Sequence, residues 1–375
     1  MKVLITGGAG FIGSRLAKRL AADGHTITVL DNFLEQVHGP APEQNDAYRT
    51  LSDIATIIHA DVTDRGSLEA ALSGAEAVVH LAAETGTGQS MYAIDRYNSV
   101  NIGGTSLLLD ILANSEHSVG RVLVASSRSI YGEGRYQNAS GEDVYPPHRA
   151  EADMQAGDFA VKYRGDADLK LVATREESKI HPSSVYGITK QVQEQLVMTV
   201  CPSIGIEGVA LRYQNVYGPG QSLSNPYTGI LSIFSNLIMQ GKGINIFEDG
   251  KESRDFVFVD DVVEATAISL THPGAAGQVF NVGTGVPVSV MEVAQTLVRL
   301  YEADTTIEVT GNFRLGDIRH NYADMTRIHE ALGFEPQWDF ESGIAQLVAW
   351  AKGSGPQVSA YEKSLAEMRE KGLLK

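Results

Sequence analysis

The stretch Thr6-Gly7-Gly8-Ala9-Gly10-Phe11-Ile12-Gly13 decides how this chain reads. It follows an apolar run of strand length, Val3 to Thr6, and opens a segment, Phe11 to Ala22, with apolar residues at helical spacing. Glycines at 7, 10 and 13 in a strand-to-helix turn permit a tight bend and let a pyrophosphate lie against the backbone. The first turn of the helix then offers that anion unpaired N–H groups and positive potential. The next strand, Thr26 to Leu30, runs into Asp31. A carboxylate there accepts hydrogen bonds from both ribose hydroxyls of an adenine dinucleotide and repels a 2′-phosphate, which selects NAD over NADP. Taken alone, Asp31 before Asn32 also suits the start of a turn.

Outward from this turn, apolar runs alternate with helical patterns. Ala55 to Ala60, Ala77 to Ala82, Arg121 to Ala125 and Gly208 to Arg212 read as strands. Arg65 to Ser73, Asn101 to Asn114 and Ser183 to Val200 read as helices. This alternation predicts an α/β fold, a Rossmann-type doubly wound parallel sheet covered on both faces. Residues 1–212 form this first lobe, with an insertion over about 134–182 that is polar and without clean periodicity. Residues 213–375 form mainly a smaller C-terminal α/β lobe, with some segments returning to the first. The charged amphipathic stretch Tyr361 to Lys375 reads as a helix packed on the surface, away from the chemistry.

The chain has 375 residues, 43% of them hydrophobic and 20% charged, enough for a large core. No apolar run reaches the length of a membrane-crossing helix, and the opening Met1-Lys2-Val3-Leu4-Ile5 reads as a strand, not a signal peptide. A cytoplasmic location follows as the expectation. Cys201 is the single cysteine, which excludes an intrachain disulfide and a cysteine-cluster metal site; no metal is expected. A formal net charge of −16 disfavours nucleic acid as a partner but leaves room for a diphosphate held by a few arginines.

Gly7, Gly10, Phe11, Ile12, Gly13, Asp31 and Asn32 make up the first part of the expected cofactor site. Asp61-Val62 follows the third strand; Asp61 either accepts from the adenine amino group or belongs to the cap of the next helix. Leu81, Ala82 and Ala83, small or apolar at the end of the fourth strand, let the backbone lie beside the cofactor, whereas His80 reads as a hydrogen-bonded core residue. Farther on, Tyr186 and Lys190 stand four apart on one helical face. A tyrosine ordinarily titrates near ~10, and an ammonium and a positive nicotinamide beside it would favour the phenolate. Ser126-Ser127 at the end of the fifth strand places a hydroxyl where it can share a hydrogen bond with a substrate oxygen.

With these motifs the chain resembles the extended short-chain dehydrogenase/reductases, specifically the nucleotide-sugar epimerase/dehydratase group. The resemblance rests on the glycine turn, His80-Leu81-Ala82-Ala83, Tyr186-x-x-x-Lys190, Arg212-Tyr213-Gln214-Asn215-Val216-Tyr217-Gly218-Pro219-Gly220 and Arg254-Asp255-Phe256-Val257, in that order. It implies Tyr186 as catalytic base, Lys190 at the nicotinamide ribose, and Ser127 at the reacting oxygen. Asn215, Arg254 and Arg319 would hold the diphosphate of a dTDP- or UDP-sugar, and Ile246-Phe247 would flank the base. For each arginine the plain alternative is a surface ion pair with the neighbouring Asp255 or Asp317. Thr85, with Glu84, Thr87, Gln89 and Ser90, would help line the sugar pocket.

Family dehydratases carry an acid/base pair where this chain has Arg128 and Ser129, so the resemblance implies 4-epimerisation through a transient 4-keto sugar with tightly bound NAD. A reductase or dehydratase of the same family is the alternative. A non-catalytic NAD-binding scaffold is remote, because the Ser127, Tyr186 and Lys190 set is complete. Ser127 to Gly134 and the insertion with Val144-Tyr145-Pro146-Pro147 resemble the branch that includes dTDP-L-rhamnose 4-epimerases. Arg128 is expected to pair with the acidic insertion, and the insertion to border the sugar pocket or else to be a surface elaboration. The resemblance also implies a homodimer through the helices near 98–114 and 183–200.

Overall fold

The computed structural model describes residues 1–44, 46–166, 168–227 and 229–375. Its main sheet contains β1 (Lys2–Thr6), β2 (Thr26–Asp31), β3 (Ala55–His59), β4 (Ala77–His80), β5 (Arg121–Ser127), β6 (Glu207–Tyr213) and β7 (Val279–Val282). All seven pair in parallel, in the order β7-β6-β5-β4-β1-β2-β3. A parallel sheet buried on both faces needs apolar side chains on both. In β1, Val3 and Ile5 join Val29 and Leu123 on one face, while Leu4 joins Val78, Leu108 and Val197 on the other. The chain lays down β1 to β3 in one direction, then returns to place β4 beyond β1. That reversal opens a crevice at the carboxyl ends of β1 and β4, where open α/β sheets bind ligands.

Two sequence boundaries shift for physical reasons. β4 stops at His80, where its partner β1 ends; Leu81 N still donates to Thr6 O, and Leu81 to Ala83 turn into the crevice. The helix expected from Asn101 starts earlier, with Ile94–Tyr97, and passes through a π-helical segment, Asn98–Gly103, before Gly104–Asn114. The π segment brings Asn101 fully inside. Its side chain accepts from Glu84 N at 2.7 Å and donates to Thr189 Oγ1 at 2.9 Å, tying the loop after β4 to the helix Val185–Ser203.

The insertion is ordered into a small antiparallel sheet of Tyr136–Gln137, Asp143–Val144 and Lys170–Leu171, with Tyr136, Val144 and Val161 as its core. In the second lobe, Asn215–Tyr217, Ser253–Phe258 and Pro287–Ser289 form a sheet that His320–Asn321 joins. Helices Ile230–Met239, Val290–Tyr301 and Phe340–Ser354 close over Tyr217, Phe256 and Phe258. Helix Val259–Thr271 leaves this lobe and lies against Phe11–Ala22, through Arg15–Asp260 at 2.9 Å and Arg19–Glu264 at 3.0 Å, before β7 rejoins the main sheet.

Candidate active site

The glycine turn is built so that nothing larger fits. Gly7 has φ +68°, and a Cβ on it would lie 2.7 Å from Ala82 N. A Cβ on Gly13 would lie 2.5 Å from Gly7 O. The helix Phe11–Ala22 starts at Gly10 with no side-chain cap and no acid in its first turn, so its N–H groups face the crevice uncompensated. Asp31 closes the crevice wall: its carboxylate accepts from Ala9 N at 3.0 Å and Phe33 N at 2.9 Å, which fixes it beside the turn. The resulting cleft encloses about 400 Å³. Gly7, Gly10, Phe11, Ile12, Gly13, Asp31 and Asn32 all line it, as do Asp61, Val62, Leu81, Ala82 and Ala83. This cradle of glycine, free N–H and buried carboxylate fits NAD.

Asp61 lies in that wall, and the cap of helix Arg65–Leu72 falls instead to Asp64, which accepts from Ser67 N at 2.7 Å. Burial pushes the Asp61 carboxyl up, but hydrogen bonds from Thr63 and Asn32 outweigh it and hold its pKa below the ordinary value. His80 is a core residue, bonded to Thr6 Oγ1 at 2.8 Å and Thr105 Oγ1 at 2.9 Å, and burial pushes it down to about 3.

Ser184 caps the helix Val185–Ser203 by accepting from Gly187 N, and Ser90 accepts from Tyr186 N at 3.0 Å. These contacts present Tyr186 and Lys190 to the cleft with Ser127 opposite. Lys190 Nζ donates to Ala125 O at 2.9 Å and lies 6.0 Å from the Tyr186 ring centre. The expected lowering of the phenol by Lys190 is not what the protein's own groups produce. Burial raises the Tyr186 pKa; the Ser127 hydrogen bond and the Arg128 charge oppose it, and Lys190 is itself pushed down by burial to about 7. Arg128, which lines the adjoining cavity with Tyr186, is the cation whose charge opposes that rise.

A second cavity, of about 340 Å³, adjoins the first, and Tyr186 lines both. Asn215, Ile246 and Arg254 line it, together with Arg128, Arg314 and Asp317. Arg128 Nε donates to Asn215 Oδ1 at 3.0 Å. It therefore faces the pocket instead of pairing with the insertion, and burial and the nearby Arg254 push it down to about 10. Arg254 borders the pocket, is 8% exposed, and bonds Asp317 Oδ1 at 2.9 Å and three backbone carbonyls; its ion pair is thus buried and made with Asp317, 63 positions away, not a surface pair with the neighbouring Asp255. Burial pushes the Asp317 carboxyl up, but Arg254, Arg314 and Arg128 around it hold it below its ordinary range.

Arg319 is not brought to either cavity. It is 6% exposed and bonds Glu248 Oε2 at 2.9 Å and Asp249 Oδ2 at 2.7 Å, inside a buried acidic cluster. Between it and Arg314 the chain reverses at Gly316, φ +81°, which turns one arginine toward the pocket and the other inward. Thr85 and Glu84 line the cleft and Thr87 lines the pocket, whereas Gln89 and Ser90 line neither.

Among the described residues, none of 134–182 lines the second cavity. The insertion acts from behind: Arg149 bonds Glu248 at 2.6 Å and Asp317 O at 3.2 Å. The tail is the opposite case, since Tyr361 and Met368 form part of the pocket wall. No local signal in the sequence marks Arg314, Asp317, Tyr227 or Tyr361, because each reaches the pocket through tertiary packing.

Comparison with known proteins agrees with this geometry. The model of the NAD dependent epimerase/dehydratase family matches residues 3–152 and 164–283. The dTDP-L-rhamnose 4-epimerase of Burkholderia thailandensis is 41% identical over 351 residues, 93% of this chain and 94% of the relative. The structure of UDP-glucose 4-epimerase from Thermotoga maritima with UDP-glucose superposes with a TM-score of 0.75 at 28% identity, covering 94% of this chain and 99% of that one. MoeE5, in complex with UDP-glucuronic acid and NAD, superposes at 0.74 with 27% identity, covering 94% and 100%. With its glycine cradle, Tyr186 and Lys190 in place, the chain belongs to the NAD-dependent epimerase/dehydratase family.

Proposed function

We propose that this NAD-dependent nucleotide-sugar epimerase inverts C4 of a dTDP-linked 6-deoxyhexose of the L-rhamnose type. The observation that carries the reading is the place of Tyr186, which lines both the cleft that fits NAD and the adjoining pocket, with Ser127 in the same cleft wall. Bound NAD supplies a reversible hydride acceptor. Tyr186 takes the C4 hydroxyl proton as the carbonyl forms and returns it to the same oxygen once the sugar has turned over. Ser127 shares that oxygen's hydrogen bond, and Lys190 holds the ribose edge. No second acid–base pair is required, and Arg128, bonded to Asn215, stands where a dehydratase would place one. Arg128 and Arg314 offer charge to the diphosphate, and Ile246 borders the base. The identity of the Burkholderia relative favours the dTDP-L-rhamnose substrate over UDP-glucose.

The same reading makes the protein a cytoplasmic homodimer. Among the described residues no helix is long and apolar enough to cross a membrane, and Ile94 and Ile188, on the helices expected to pair, are 49% and 46% exposed. Sedimentation equilibrium tests the dimer; a monomer at micromolar concentration overturns it.

The substrate test is proton NMR of purified protein incubated separately with dTDP-L-rhamnose and UDP-glucose. The expected outcome is a C4 epimer from dTDP-L-rhamnose with no net change in reduced cofactor. Loss of water by mass, or sustained consumption of added NADH or NADPH, assigns a dehydratase or a reductase instead. Turnover of UDP-glucose alone overturns the substrate.

A further inference from the structure

The C-terminal segment is expected from sequence to be a surface helix, yet it is wedged among three parts of the molecule. Helix Tyr361–Glu370 meets the loop after β4, where Met368, 5% exposed, fills the space over Gly88. Glu367 accepts from the hydroxyls of Tyr92 and Tyr227, each at 3.2 Å. Before the helix, Gln357 exchanges two hydrogen bonds with Asn236 of the second lobe, at 2.9 and 3.0 Å. After it, Leu373 and Lys375 pair with Phe313 and Leu315 in backbone hydrogen bonds of 2.9 to 3.0 Å, and Lys375 Nζ reaches Glu151 of the insertion at 3.2 Å. An unanchored surface helix would need none of these contacts.

The anchoring places Tyr361 at the pocket, whose wall it shares with Arg314; the Arg314 guanidinium lies 4.7 Å from the centre of the Phe247 ring. Tyr186, Arg128 and Arg254 line this cavity together with the apolar Leu231, Phe234 and Ile246. A nucleotide sugar with its C4 at Tyr186 and its diphosphate at the arginines has those apolar side chains to receive its base.

We propose that Tyr361 is a binding residue for the nucleobase end of the substrate: its ring closes the base site and its hydroxyl steadies Arg314 against the diphosphate. The ligand class is a pyrimidine nucleoside diphosphate, and the inference rests on the nucleotide-sugar reading above. Such a contact is made alike in ground state and transition state, so its loss raises KM and leaves kcat.

The test is calorimetric titration of the NAD-loaded full chain with dTDP and with UDP, beside steady-state kinetics. Stacking of a base on an aromatic ring predicts that Tyr361→Ala weakens dTDP about tenfold and raises KM by a similar factor with kcat unchanged. Tyr361→Phe, which keeps the ring and loses the hydroxyl, weakens dTDP by less. Glu370→Ala, an exposed change on the same helix, leaves affinity at the wild-type value. Equal dTDP affinity in wild type and Tyr361→Ala overturns this inference and leaves the epimerase reading standing. A wild-type protein that binds neither dTDP nor UDP overturns both. If Tyr361→Ala does not fold, Tyr361→Phe decides: unchanged affinity and KM exclude the hydroxyl's part in holding Arg314 and overturn the proposal as stated.

Discussion

The cleft that fits NAD draws much of its wall from the ends of successive strands of one sheet, whereas the adjoining pocket draws its walls mainly from loops and helices scattered from Gly86 to Met368. In the cleft, the glycine turn, Asp31, Asp61 and Leu81 to Ala83 are each delivered by the strand just before them, so a short motif carries its own geometry. In the pocket, residues far apart in sequence must first be packed together. The first kind of site is written locally and the second is written in the tertiary structure.

The sharpest way to break this contrast is at Tyr186, which lines both cavities and carries the proton. Tyr186→Phe keeps the ring and removes the proton-carrying oxygen. Turnover should fall by roughly 10³-fold, about 4 kcal/mol of barrier, while NAD content and dTDP affinity persist. Rapid-quench or NMR assays check it. Normal turnover would take the chemistry away from the junction.

The next largest effect separates two arginines expected to share a role. Arg319 sits among Glu248, Asp249 and Glu252, and burial together with Glu248 pushes Glu252 up to about 7. Removing one partner from a buried ion cluster leaves uncompensated charge, so Arg319→Met should cost about 3 kcal/mol of stability by urea unfolding. The affinity of the folded protein for dTDP should change little. A large loss of affinity without a loss of stability would restore Arg319 to the diphosphate.

Arg128 should behave in the reverse sense. Its depressed pKa means that the folded protein carries this cation against burial and against Arg254. A diphosphate relieves both. Arg128→Met should therefore weaken dTDP about 30-fold, roughly 2 kcal/mol, with no loss of melting temperature in the ligand-free protein. A lower melting temperature with unchanged affinity would make Arg128 a structural residue.

These cases also explain what was legible in the sequence. The glycine turn, Asp31, the small residues after β4 and the Tyr186/Lys190 pair all act within one turn or one strand end, and period and spacing are enough to place them. Arg314 and Arg319 look alike in the run Arg314-Leu315-Gly316-Asp317-Ile318-Arg319, and the reversal at Gly316 that tells them apart is a backbone fact. The tail's amphipathic pattern announces a buried face but not what it is buried against. Charge balance alone points Arg128 to the insertion, while its real neighbour, Asn215, lies 87 positions away. Length and polarity point the insertion to the sugar, whereas it braces Glu248 and the chain at Asp317 from outside.

The smallest predicted effect is a matter of pH, and it sets the cleft against the pocket once more. Lys190 is 3% exposed, and burial takes its pKa from 10.5 down to about 7. Below about pH 7 both folded and unfolded chains hold the proton, and the folded protein bears the full cost of burying it. Between about pH 7 and about pH 10.5 the unfolded chain binds more protons, so stability rises with pH, by at most about 1.4 kcal/mol per unit for one group. Denaturant unfolding of the NAD-free protein at about pH 7 and about pH 8.5 should show wild type gaining about 1.5 kcal/mol more than Lys190→Met. Equal gains would mean that Lys190 keeps its charge in the fold. Arg128, on the pocket side, is pushed down only to about 10 and so stays charged across the measured interval, and the same measurement on Arg128→Met should follow wild type. A cation that sheds its proton near neutrality belongs beside a positively charged nicotinamide, and one that keeps it belongs beside a diphosphate.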